Sequence, residues 1–211
     1  RGADPGAPCL IVRRGTRSRF TGFAFTAEDR ADLMRLADAT GAAARPLSDS
    51  VGGLSVDLVD PSGIPVRVVA DTHTKAALPA QSPQLINAGR TLVRTNATQR
   101  PPRIPARVQR LGHVVLQSTK YLEALDWYLD HLGLIVSDFL YFPGQRDLGP
   151  TMSFIRCDRG DTPADHHTLA LALGPRNRYV HSAYQVSDLD AMAAGGEYLG
   201  ERGYHRSWGI G

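Results

Sequence analysis

The strongest constraint on how this chain can fold is a repeat within itself. Shifted by 159 positions, the segment from Pro8, PCLIVRRGTRSRFTGFAFTAED, falls without a gap on the segment from His167, HTLALALGPRNRYVHSAYQVSD. Gly15 meets Gly174, Arg17 meets Arg176, Arg19 meets Arg178 and Phe20 meets Tyr179. Ala24 meets Ala183, Phe25 meets Tyr184 and Asp29 meets Asp188. A repeat of this length means duplicated supersecondary units, because one unit alone cannot bury its apolar face. Each copy reads as a strand, a turn, a second strand and a helix. The helices are AEDRADLMRLADATGA and SDLDAMAAGGEYLGERG. Each opens at Asp or Ser, whose side-chain oxygen accepts from the free N–H groups of a first turn.

More of the second copy precedes its histidine-rich segment. LGHVVLQ, residues 111–117, reads as a strand. STKYLEALDWYLDHLG follows as an amphipathic helix with Leu122, Leu125, Tyr128, Leu129 and Leu132 at helical spacing. Ser118 or Thr119 caps its start and Gly133 its end. LIVSDFLYF, TMSFIRC and HTLALAL then read as three strands, giving the order β-α-β-β-β. The first copy lacks this early half; Arg1 falls near Gly160, which implies about 50 further residues upstream. It does continue through VGGLSVDLVDPSGIPVRVVADT, a strand, a DPSG turn and a closing strand, where the second copy stops. The expected fold is α+β, two tandem βαβββ modules truncated at both ends. Residues 1–75 form an incomplete N-terminal module and 111–211 a C-terminal module incomplete at its end. A polar linker over 76–110, holding Pro101, Pro102 and Pro105, runs along the surface.

Length and composition suit one large or two small domains: 211 residues, 42% of them hydrophobic. The net charge of +3 comes from scattered Lys and Arg, so no nucleic-acid partner is expected. Cys9 and Cys157 lack zinc or CxxC spacing, which points to a reduced compartment, the cytoplasm. Neither a membrane-length apolar run nor a signal peptide is present in the sequence, and no membrane partner is expected. Homo-oligomer formation is left open.

Three of seven histidines lie between residues 165 and 186. The repeat supplies a control for them. His166, His167 and His181 fall on Ala7, Pro8 and Gly22, so the duplicated framework folds without imidazole at these places. His113 stands on the first strand of the same copy. Strand alternation puts His167 on one face with Leu169, Leu171 and Leu173, and points His166 away. Singly, each reads as a satisfied core or surface histidine. Together, His113, His167 and His181 sit on three strands of one small sheet while the matching copy lacks them, and this indicates a site. Neutral imidazole is the commonest metal ligand among side chains. His73 and His131 read as loop and helix-surface residues, and His205 is unassigned.

GHVVL on the first strand of the second module, then DHHTLAL and YVH at their spacing, resemble the vicinal oxygen chelate superfamily. Within it the chain resembles type I extradiol ring-cleaving dioxygenases, the 2,3-dihydroxybiphenyl and catechol 2,3-dioxygenase group. The resemblance implies a metal-free N-terminal module and a C-terminal module holding iron(II), with manganese(II) as the alternative. It implies that His113 and His181 are metal ligands and that His167 is the catalytic acid/base; His166, pointing away along the strand, has at most an outer role. It implies a third ligand, a Glu beyond Gly211. Arg67 lies 45 residues after Gly22 and seven after Asp60 of the DPSG turn; the same offset from His181 puts that Glu near position 226, roughly. The implied reaction is cleavage of a small aromatic diol beside its two hydroxyls by O2, in aromatic hydrocarbon catabolism. Phe154, Leu169 and Leu171 are candidates to pack against the substrate, with plain core the first reading of the two leucines. Gln185 stands where a Glu is often found in the family, which leaves the substrate subgroup open. Two alternatives stand beside this reading. One is a glyoxalase-like lyase or isomerase, which usually places a Glu where one dioxygenase His sits. The other is a bleomycin-resistance-type binding protein, which needs no metal triad.

Overall fold

Alternating apolar and polar residues build the first sheet of the protein, seen in a computed structural model that describes residues 1–6, 8–82, 87–96 and 104–205. β1 (Phe23–Thr26) leads into α1 (Arg30–Thr40), then β2 (Ala44–Pro46), β3 (Leu54–Val59) and β4 (Pro65–Ala70). The sheet order is β1-β4-β3-β2, with β1 parallel to β4 and the other pairs antiparallel. Asp29 caps α1 by accepting from the Asp32 N–H at 2.7 Å, and Gly41 ends it in the left-handed conformation. The helix buries Leu33 and Ala37 against Val56, Val68 and Ala70. A Leu33→Ala cavity there would cost about 2–5 kcal/mol.

The second sheet repeats the connectivity. β5 (Arg110–Ser118), α2 (Tyr121–Leu132), β6 (Leu134–Leu140), β7 (Met152–Cys157) and β8 (Leu169–Leu173) follow in order, with β5 parallel to β8. β9 (Arg178–Gln185) adds to the far side of β5, giving β6-β7-β8-β5-β9, and α3 (Leu189–Glu201) follows, capped by Asp188. The chain is thus α+β, with two βαβββ sheets and a third β-α beginning at β9. The 159-residue repeat relates β1-α1 to β9-α3.

Three sequence expectations are corrected. The segment Cys9–Arg14, expected as a strand, is irregular, and Leu10, Ile11 and Val12 are exposed. Its counterpart β8 is paired on both sides, by β7 and β5, whereas Cys9–Arg14 belongs to no sheet among the described residues; a lone strand leaves its backbone groups unpaired. On α2 the buried stripe is Tyr121, Ala124, Leu125 and Tyr128, and Leu122 faces outward. The cap of α2 is also different: Lys120 holds the N-cap position, and Ser118 Oγ accepts from its N–H.

Contacts divide the chain into two compact units. One comprises Val12–Thr74 and Gly112–Ala183, and holds nearly all of both sheets. The other comprises Arg1–Ile11, Lys75–Leu111 and Tyr184–Gly211. Within it the N-terminus is tied to residues 78–109: Ala3 N–H donates to Val108 C=O, Asp4 N–H to Gln109 C=O and Leu78 N–H to Ala3 C=O. Pro101 and Pro102 lie outside the described residues. Cys9 and Cys157 are both free thiols. Among the described residues no helix is long and apolar enough to cross a membrane.

A buried polar hub lies in the unit that holds the sheets. Asp60 opens the DPSG turn, and its Oδ1 accepts from the N–H groups of Ser62 and Ile64 at 2.8 and 2.9 Å. Its Oδ2 accepts from the fully buried Tyr128 hydroxyl at 2.9 Å. Burial pushes the Asp60 carboxyl up, against those donors. Ser62 Oγ meets Ser118 Oγ at 2.6 Å, and Asn177 donates from Nδ2 to Ser62 C=O at 2.8 Å. Removing one partner leaves a buried oxygen short of a donor. Tyr128→Phe should therefore lower stability by about 1–3 kcal/mol in urea unfolding; an unchanged midpoint would mean the hub contributes nothing.

Candidate active site

The neighbouring strands β7, β8 and β5 fix which side chains face one another. Phe154 pairs with Ala170, and Ala170 with Val115. Cross-strand partners point to the same side, so Phe154, Ala170, Val115 and, two residues earlier on β5, His113 line one face. The opposite face carries Val114, Leu116, Ile155, Leu169 and Leu171, all buried.

His167 is not in a strand. β8 begins at Leu169, and the chain bends at Thr168. The bend breaks the alternation that would have put His167 beside Leu169. Its ring lies 4.1 Å from that of His113 and 5.0 Å, edge to face, from Phe154. His181, on β9, has its ring 5.6 Å from His113. The structure thus brings together His113, His167, His181 and Phe154. Leu169 does not join them: it is fully buried on the other face and is a core residue rather than a substrate contact.

His166 was expected to point away from His167. Instead its Nδ1 lies 3.1 Å from His167 Nδ1, and its ring also packs on Phe154, at 5.6 Å. One of the two nitrogens carries the shared proton, so the contact couples the tautomers of the two rings. The bend again explains the difference. His131 Nδ1 bonds to Trp127 C=O on α2, and His73 lies against Gly52 in a loop. His205 is exposed.

Electrostatics favour neutral rings. Burial lowers the His113 pKa, the nearby His181 lowers it further, and the Asp165 carboxylate pulls the other way. Burial lowers His181. His167 is pushed down to about 4, first by burial and then by His113 and His166, against the pull of Asp165. Neutral imidazoles have a lone pair to donate, so His113 and His181 suit a divalent metal. Among the described residues no three His, Cys, Asp or Glu side chains are grouped to hold a metal ion.

The control in the first copy has a backbone reason of its own. Gly22, at the position matching His181, has φ +110°, and a Cβ there would stand 2.3 Å from Pro65 O. No side chain fits, so Gly22 is set by close strand approach as much as by the absence of a site. Sequence reading missed Ser137 and Arg156. Ser137 Oγ donates to His166 C=O, and Arg156 donates to Ser137 Oγ at 2.6 Å. Hydrophobic patterning gives no sign of either. Asp165, which acts on His113 and His167, was missed as well, although it opens the DHH triplet.

No family model matches the chain. Metapyrocatechase 2 of Cupriavidus necator is 30% identical over 154 residues, 72% of this chain and 43% of that protein. This chain thus spans less than half the length of that curated relative. The Mn(II)-bound glyoxalase from Novosphingobium aromaticivorans is 26% identical at a TM-score of 0.64, over 90% of this chain and 54% of that one. Homoprotocatechuate 2,3-dioxygenase from Arthrobacter globiformis is 18% identical at a TM-score of 0.63, over 92% and 53%. The fold is that of the vicinal oxygen chelate proteins. Its relatives there are extradiol dioxygenases and glyoxalase-type proteins.

The lowered histidines set a pH dependence. Below the ordinary value of 6.5 an unfolded His167 takes up a proton, while the folded ring does so only near 4. Stability present above about pH 6.5 is therefore lost as pH falls toward 4. The Tm of metal-free protein should drop across that window, and less so in His167→Ala. Equal drops in the two proteins would contradict the placement of His167.

Proposed function

We propose that the chain is the metal-binding part of an extradiol dioxygenase, which cleaves a catechol-type diol beside its hydroxyls and incorporates both atoms of O2. The observation that carries this is the convergence of three neutral histidines with an aromatic side chain on one sheet face. The likeness to Metapyrocatechase 2 supports it. His113 and His181 hold the metal, iron(II) or manganese(II), and a carboxylate completes the set. Bound there, the metal supplies a lowered proton affinity for the diol and proximity of the two reactants.

The repeat supports a place for the carboxylate. In the first copy Ala24 of β1 pairs with Arg67 of β4, and Gly22 lies two residues before Ala24. Arg67 there forms an ion pair with Asp57. Shifted by 159, a residue roughly 45 beyond His181 falls opposite Ala183, two residues from His181. This is the position near 226 expected from the sequence to be a Glu.

His167 is the proton carrier. Neutral at pH 7, it accepts a proton from a diol hydroxyl. Its neighbours His113 and His166 disfavour the charged ring, so the proton is readily returned to the product. Phe154 supports both histidine rings and presents an aromatic edge beside them. Val115 and Ala170 on the same face are buried and apolar and keep water from it.

A second reading has one observation in its favour, the likeness to the Mn(II)-bound glyoxalase. A lyase or isomerase would use the two histidines without consuming oxygen.

Full-length protein separates these roles. His113→Ala and His181→Ala should each lose metal, measured directly, together with ring cleavage. His167→Ala should keep the metal and bind catechol, with turnover slower by roughly a hundredfold. If His167→Ala loses its metal, His167 is a ligand; if its rate is unchanged, His167 is no acid/base.

A further inference from the structure

β6 carries one extra residue. Its register with β7 runs Leu134↔Cys157, Ile135↔Arg156 and Val136↔Ile155, then resumes at Asp138↔Phe154. Ser137 is the residue left without a partner, a β-bulge. Bulges bend a strand locally and re-aim a side chain, often beside a functional site.

Here the re-aimed group is the Ser137 hydroxyl. It donates to the carbonyl of His166, 29 residues away in sequence. The bulge is in turn held from β7. Arg156 donates through one guanidinium nitrogen to Ser137 Oγ at 2.6 Å and to Val136 C=O at 3.3 Å. The second of these bonds engages a carbonyl at the bulge, where the ladder is disrupted. Arg156 stands two residues from Phe154 on the same strand, hence on the same face. β7 therefore supports the His166–His167 pair twice. Phe154 packs against both rings, and Arg156 acts through Ser137 on the backbone between them.

The peptide bearing the His166 carbonyl leads directly into His167, and the bend at Thr168 follows. A carbonyl fixed at this point limits the rotation of that peptide. It thereby sets where the His167 ring stands relative to His113. We propose that Ser137 and Arg156 are positioning residues for His167, acting as a relay from guanidinium to hydroxyl to the His166 carbonyl. The inference rests on the acid/base reading of His167.

The test uses full-length, metal-loaded protein. Ser137→Ala should lower kcat about tenfold, with metal content and catechol KM unchanged. Ser137→Thr, which keeps the hydroxyl, should restore the rate to within about twofold. In the His167→Ala background, Ser137→Ala should have no further effect on kcat, because residues acting as one unit are non-additive. In metal-free protein, the ring signals of His167 in NMR spectra should move in Ser137→Ala while those of His181 stay in place. An unchanged kcat in Ser137→Ala, a full further loss in the His167→Ala background, or unmoved His167 signals would each overturn the relay. If His167→Ala itself turns over normally, the acid/base reading fails and the relay falls with it. If His167→Ala is slow and Ser137→Ala is not, the relay alone fails.

Discussion

The carboxylate of Asp60 anchors the arrangement on which the site depends. It is almost fully buried and sits at the tip of a hairpin in the first sheet, yet one of its bonds reaches α2, the helix that follows β5. Tyr128 brings α2 to it, Ser118 brings the end of β5 to the adjoining Ser62, and Asn177 brings the turn that opens β9. Asn177 also accepts from the N–H and hydroxyl of Thr119, just past β5. The strands carrying His113 and His181 are thus tied at neighbouring ends to one turn. A buried polar group left without its partners costs more than the bonds return, so these segments are held in one register or destabilised together.

Stacking continues the tie. Phe20 and Tyr179, matched by the internal repeat, lie 4.6 Å apart at 22°, just before β1 and near the start of β9. The two copies meet through equivalent residues, as expected where duplicated units cover one another's apolar surface.

Most of the fold was legible because its signals are local. Asp29 and Asp188 cap helices, Gly133 ends one, and the Asp60–Gly63 turn joins β3 to β4, each by chemistry within a few residues. The alternation of β5 and the apolar run of β8 were equally plain. What escaped depends on distant partners. β2 is three residues long and exists because β3 offers it an edge. Leucine spacing alone put Leu122 inside α2, whereas packing chose Tyr121 and Ala124. In the site, the histidines were found because one copy lacks them. The faces of His166 and His167 were misread because alternation assumes an unbroken strand, and a single irregular residue reverses it. The bend at Thr168 turned His167 away from Leu169 and toward His113 and Phe154, and the bulge at Ser137 supplied a contact that no pattern announces.

The chemistry that follows is a division of labour among imidazoles with similar neighbours. In the proposed reading His113 and His181, on adjacent strands, are the donors, and His167, beside them between two bends, is the group that exchanges a proton. The central claim is that this set serves oxygen-dependent ring opening. The direct test is oxygen uptake by full-length protein loaded anaerobically with iron(II) and offered a panel of substituted catechols. The account predicts one O2 consumed per diol, with the ring opened beside the hydroxyl carbons. Metal-loaded protein that binds a catechol yet consumes no oxygen with any of them would contradict it.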